Sequence, residues 1–138
     1  VLLMDTQEII DAFEFLETWE ERYELISELS AQLLPLSESE KRDENLIPGC
    51  TTRTWLVGRL VPGEQPAMEY RADAEGPLVR GLVALLLLPF QGRPPEEIRS
   101  TDPNAFIDAL GLRAGFSAKR VGGMEAFVKQ VKAIADRV

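Results

Sequence analysis

The residues Ile47-Pro48-Gly49-Cys50 put the chain's only cysteine at the end of a turn. Proline supplies the fixed φ of the second position in a type II turn, and glycine the positive φ of the third. Cys50 is then the fourth residue, where a strand is expected to begin. A loop tip gives a thiol access to a partner, and the turn gives it a direction. A reactive thiol wants a lowered pKa, from a helix N-terminus or a neighbouring cation. Arg53 is the cation within a few residues of it. The chain has no histidine. That excludes a Ser-His-Asp triad, a Cys-His pair and every imidazole metal ligand. One cysteine permits neither an internal disulfide nor a thiolate zinc site. A carboxylate metal site stays open, although no EF-hand spacing is present. Free cysteine is commonly a small buried hydrophobe. The local residues therefore leave two readings: an inert thiol, or one that accepts a group from another enzyme's activated site. They argue against an autonomous cysteine hydrolase.

Composition narrows the partners. The 138 residues are 45% hydrophobic and carry a formal charge of −8. This suits one ordinary domain, residues 1–138. An acidic chain without a basic run is a poor match for phosphate backbones or anionic lipid, so neither nucleic acid nor membrane is expected. The opening VLLM is too short for a signal-peptide core and lacks a basic flank. The longest apolar run, 81–90, is about half a membrane span. A lone free thiol suits a reducing compartment. A soluble cytoplasmic protein is the expectation.

The elements that must position Cys50 can be read from periodicity. Asp5 and Glu8 fit a capping box. Ile9, Phe13, Leu16, Tyr23, Ile26, Leu29 and Leu33 then recur at helical spacing until Pro35. The polar stretch 37–45 reads as a loop. A hairpin follows. Residues 52–61 are rich in β-formers, PGEQP is turn chemistry, and 67–74 alternates. Met68, Tyr70 and Ala72 face one way, with Glu69, Arg71 and Asp73 toward water. Trp55, Leu56 and Val57 are apolar on both faces and are expected to shield the thiol, because an exposed one would oxidise to dimers. Pro77 opens an all-round apolar helix. Gly81 inside it implies close packing, and Pro89 should end or bend it early. Short helices are expected near Pro95 and from Asp102-Pro103 to Gly111. A last helix runs from a cap at Ser117 to about Arg137, burying Met124, Phe127, Val128, Val131 and Ile134. The fold class is α+β: a small antiparallel sheet of two or three strands covered by helices.

Several segments, in order along nearly the whole chain, resemble the SufE family and its close relative CsdE. WEERYELISEL resembles the family's first-helix signature. NLIPGCTTRTWLVGRL resembles its cysteine loop and following strand, and RADAEGPLVRGLVALLL its second strand, turn and buried helix. GRPPEEI, LGL and FSAKRVGGMEAF complete the set. The resemblance implies a SufE/IscU-like fold and a sulfur relay. Cys50 matches the residue that accepts persulfide sulfur from a SufS/CsdA-type cysteine desulfurase and passes it to a SufBCD-type scaffold. Pyridoxal phosphate is then expected only in the partner, and no cofactor in this chain. Arg120 matches the arginine of S-x-x-R, near the cysteine loop or the partner. Asp73 and Glu75 fall in a turn the family uses near its partner. Gly49 and Arg53 are supporting residues of the loop. Arg80 and Gly81 match V-R-G. Gly122 replaces the family's usual asparagine, and Pro89 departs from the common pattern. An IscU-type cluster scaffold needs several thiolate or histidine ligands, which this chain cannot supply. The rival readings are an allosteric desulfurase-binding module with Cys50 incidental, and an unrelated binding domain sharing the pattern.

Overall fold

A computed structural model describes residues 4–138, so most of the VLLM segment lies outside the described residues. The expected capping box is present: Asp5 accepts from the Glu8 amide at 2.9 Å and opens α1, Thr6–Phe15. The helical periodicity that follows does not belong to one helix. The chain turns extended at Leu16, and a second capping box, Thr18 with Glu21, opens α2, Trp19–Glu28. The apolar spacing runs through the break because both helices lie on the same core. Arg22 fastens the joint. Its guanidinium donates to the carbonyls of Phe13 and Leu16 at 2.9 and 2.8 Å, at the exposed C-terminal end of α1. It also lies over the Trp19 ring, 4.9 Å from the centroid. A 3-10 turn, Leu29–Gln32, ends this run before Pro35.

The sheet is an antiparallel hairpin of β1, Thr54–Val61, and β2, Ala67–Ala74, with Thr54 opposite Ala74 and Val61 opposite Ala67. One further bridge joins Leu46 to Trp55, in place of a third strand. The inner face buries Leu56, Met68, Tyr70 and Ala72. The outer face is less open than alternation implies. Loop 37–45 folds across it as two 3-10 turns, Glu38–Glu40 and Asp43–Asn45. Both Glu40 oxygens grip the Arg71 guanidinium, and Lys41 reaches Asp73 at 3.0 Å. The Arg71 hydrogen bond holds the Glu40 carboxyl down to about 2. Arg71 and Asp73 are thus paired and half-buried. The same cover buries Trp55, beneath Lys41 and Arg53. The free edge of β2 is also protected. Gly92 and Arg93 exchange backbone bonds with Met68, and the Gln91 side chain bonds both backbone groups of Tyr70.

Helix α3, Pro77–Leu87, fills the centre. Gly81 through Leu87 are all buried, against α2, the 3-10 turn after it, β2 and the last helix. A Cβ at Gly81 would stand 2.0 Å from the Ile26 carbonyl oxygen, so the glycine allows backbone-to-backbone contact between α3 and α2. The helix ends before Pro89, as expected. Then follow α4, Pro95–Ser100, α5, Ala105–Ala109, α6, Leu112–Gly115, and α7, Ala118–Asp136. The helix expected from Asp102-Pro103 begins later, at Ala105, and the unforeseen α6 follows Gly111 at φ +63°. Helix α7 is capped by Ser117 and buries all five expected residues. The Tyr70 hydroxyl donates to the Val131 carbonyl at 3.0 Å, tying hairpin to α7.

Gly81→Ala is expected to lower stability by about 3 kcal/mol, because backbone rather than a flexible side chain blocks the new methyl. Urea denaturation followed by circular dichroism measures this; an unchanged midpoint would contradict the close contact.

Candidate functional site

The cysteine loop is built by closing a short segment onto β1. The Leu46–Trp55 bridge and the Ile47 amide, donating to the Thr54 carbonyl at 2.9 Å, pin its two ends. The Glu75 amide donates to the Arg53 carbonyl at 3.0 Å and carries the hairpin ladder to the same point. Cys50 therefore sits within a closed loop, four residues before the strand rather than at its start. Gly49 adopts φ +87°, the conformation the turn requires. A Cβ there would be 3.7 Å from that of Ala126, an ordinary contact. Backbone conformation, not space, demands the glycine.

The loop lays Cys50 against the first turns of α7. Its thiol donates to the Gly123 carbonyl at 3.6 Å. The sulfur borders a cavity of about 30 Å³, walled by Val79, Leu82, Val83 and Leu86 of α3 and by Met124 and Phe127 of α7. This is about the volume of one water molecule. Shielding thus comes from α3 and α7. The expected shield, Trp55 to Val57, does not line the cavity; of β1 only Thr54 does. Trp55 and Val57 sit on the opposite face of the hairpin, where loop 37–45 packs. Burial pushes the Cys50 thiol up, while the Thr54 hydroxyl and the Arg120 charge pull the other way without cancelling it. At neutral pH the resting sulfur is a protonated, half-buried thiol.

The remaining residues divide between two places. Arg120, in the first turn of α7, lines the Cys50 cavity together with its neighbour Lys119. Arg53, Asp73 and Glu75 gather at the open end of the hairpin. Arg53 pairs with Glu75 at 3.6 Å and lies 5.1 Å from the Trp55 ring centroid. Asp73 is held by Lys41 at 3.0 Å and Arg80 at 3.1 Å. Burial works to raise its pKa, but Lys41, the Ala74 amide and Arg80 outweigh burial and leave it lowered. Sequence reasoning did not single out Thr54 or Lys119, which read as an ordinary strand former and a surface helix residue. Of the glycine pair, Gly123 backs the sulfur, and Gly122 faces open space. Among the described residues no group of His, Cys, Asp and Glu is placed to hold a metal ion, and no helix is long and apolar enough to cross a membrane.

The model of the family described as "SufE: Fe-S metabolism associated domain" matches residues 7–135. An uncharacterised SufE-like protein of Rhizobium etli is 34% identical over 133 residues, covering 96% of this chain and 90% of the relative. The chain belongs to the SufE family. A second SufE-like protein, from Rhizobium meliloti, is 32% identical over 130 residues, covering 94% of this chain and 93% of that one. The SufE assignment associates the chain with iron–sulfur metabolism. The α+β fold recurs in the solution structure of a hypothetical protein from Thermus thermophilus, at TM-score 0.76 and 20% identity, covering 96% of this chain and 93% of that one.

Two outcomes are expected at this SufE loop. Alkylation of Cys50 in the isolated protein should be slow at neutral pH and rise as pH climbs through its elevated pKa; fast labelling at pH 7 would contradict the shielding. Gly49→Val should cost about 1–2 kcal/mol, since left-handed geometry penalises a Cβ, and should speed labelling because the loop loses its set direction. Denaturation and timed iodoacetamide labelling read both effects.

Proposed function

We propose that this chain is a sulfur acceptor working beside a SufS/CsdA-type cysteine desulfurase. One observation carries the reading: the chain's sole thiol sits on a closed loop over a small apolar cavity rimmed by Arg120 and Lys119. The desulfurase, with its own pyridoxal phosphate, presents sulfur as a cysteine persulfide. The Cys50 S–H bond breaks and its proton passes to solvent. The thiolate attacks the outer sulfur of the persulfide. A Cys50–sulfur bond forms as the partner's S–S bond breaks. The partner's sulfur leaves as a thiolate, and no net oxidation occurs. Cys50 then carries the sulfur to an acceptor, a SufBCD-type scaffold.

The geometry supports this chemistry in three ways. A shielded thiol resists oxidation between cycles. The apolar walls limit the approach of water and small thiols to a bound sulfur. The two rim cations favour an anionic persulfide. Transfer requires the sulfur to leave Gly123 and swing outward, and Gly49, already at positive φ, gives the loop its pivot. Asp73, Glu75 and Arg53, at the open end of the hairpin, form the flank that meets the desulfurase. The cytoplasm, where free thiols persist, is the proposed setting.

Incubation with desulfurase, L-cysteine and pyridoxal phosphate should add one sulfur atom to the chain, located on the Cys50 peptide by mass spectrometry. Cys50→Ser should keep the circular dichroism spectrum and gain none. A serine variant that still stimulates desulfurase turnover fully would replace relay with allosteric activation.

A further inference from the structure

Thr54 is the buried polar residue among the described residues, 2% exposed, at a strand position facing an apolar cavity where a valine would pack. Its carbonyl closes the cysteine loop. Its hydroxyl lies 3.0 Å from the Thr52 carbonyl and borders the same cavity as Cys50. The two groups bonded at rest are therefore both donors to carbonyls. The Cys50 thiol donates to Gly123, and the Thr54 hydroxyl donates to Thr52. A carbonyl can stabilise only the protonated sulfur, since it has no hydrogen to give. Once the sulfur ionises, the Gly123 bond is lost and a buried anion is left facing an oxygen. A hydroxyl rotor can redirect its single hydrogen, and a sulfur released from Gly123 shares one small cavity with it.

We propose that Thr54 is a hydrogen-bond switch for the reacting sulfur: its hydroxyl bonds the Thr52 carbonyl while Cys50 is a thiol and turns to donate to Sγ when Cys50 becomes a thiolate. Hydrogen bonds to charged acceptors are the stronger kind, so the thiolate outcompetes the neutral carbonyl for this hydrogen. The influence of Thr54 on the thiol already runs in the required direction, toward the ionised form. The other charged groups facing the cavity are Lys119 and Arg120, both on α7; α3 contributes only Val79, Leu82, Val83 and Leu86. Salt screens the two cations at the rim, whereas a direct buried hydrogen bond is insensitive to it. The switch deepens the sulfur-acceptor reading, on which it rests for its purpose: it makes a thiolate available inside a pocket that otherwise suppresses one.

The test uses the isolated chain and follows iodoacetamide alkylation of Cys50 against pH, at low and high salt. For Thr54→Val the midpoint of the profile should move to higher pH at both salt levels. Loss of one charge-assisted bond lowers the thiolate fraction about tenfold. A more basic thiolate is also more nucleophilic, so alkylation near neutral pH should slow about threefold. Thr54→Ser, which keeps the hydroxyl, should retain the wild-type midpoint, and Thr54→Ala should match the valine variant. A valine or alanine midpoint equal to wild type overturns the switch, as does faster alkylation at an unmoved midpoint, the signature of a hydroxyl that merely shapes the loop. Because no desulfurase is present, the midpoint judges the hydrogen bond by itself. Persulfide formation in the mass-spectrometric incubation judges the relay separately.

Discussion

From Gly81 onward, helix α3 has no face it can show to water. Gly81 through Leu87 are buried without interruption, and the remaining elements are arranged as its cover. A helix apolar on every side demands this, because each leucine left exposed forfeits about 1.5–3 kcal/mol of burial. The hairpin supplies one wall, α2 and its 3-10 extension another, and α7 a third. The tightest of these contacts needs Gly81, where backbone meets the Ile26 carbonyl. The cysteine site follows from the same packing. Val79, Leu82, Val83 and Leu86, which belong to this central helix, wall the cavity under Cys50. The environment of the thiol is therefore set by the core and not by the mobile properties of a loop tip.

Charge is distributed with similar economy. The chain is acidic overall, and its polar loop 37–45 is rich in carboxylates. Glu40 and Lys41 of that loop pair with Arg71 and Asp73 on the outer face of the hairpin. Individual ion pairs near the surface add little stability. Here they decide where the loop lies, and so bring Leu46 and Ile47 to β1 at the place where the cysteine loop must close. The cavity rim carries Lys119 and Arg120. An acidic protein thus offers a cationic margin at its one thiol.

The proposed relay sets the site two opposed requirements. A thiol kept between cycles should be protonated and shielded; a thiol that attacks a persulfide must ionise. Burial and the Gly123 carbonyl favour the first state. Thr54 and Arg120 favour the second. The resting balance falls on the protected side, so in the proposed relay ionisation and outward movement of the loop must both precede transfer.

Much was legible in the residues alone, for identifiable reasons. The Pro48-Gly49 turn, the Asp5 and Ser117 caps, the hairpin and the buried face of α7 depend on interactions within a few positions in sequence. The absence of histidine and the single cysteine limited the chemistry before any fold was known. Family resemblance then pointed to Cys50 and Arg120. Local signals were misleading where distant segments competed. The break at Leu16 hides beneath an apolar period shared by two helices, and Asp73 and Arg71 read as solvated because nothing nearby in sequence reveals that loop 37–45 returns to cover them. Nearness in the chain points to Trp55–Val57 as the shield of Cys50; α3 and α7, 29 to 77 positions away along it, supply it instead. Sequence by itself determined which side chain could be the nucleophile and which turn would present it. Only the tertiary structure decided what that sulfur touches, because its carbonyl, hydroxyl and cationic neighbours meet through packing around α3 and not through spacing along the chain.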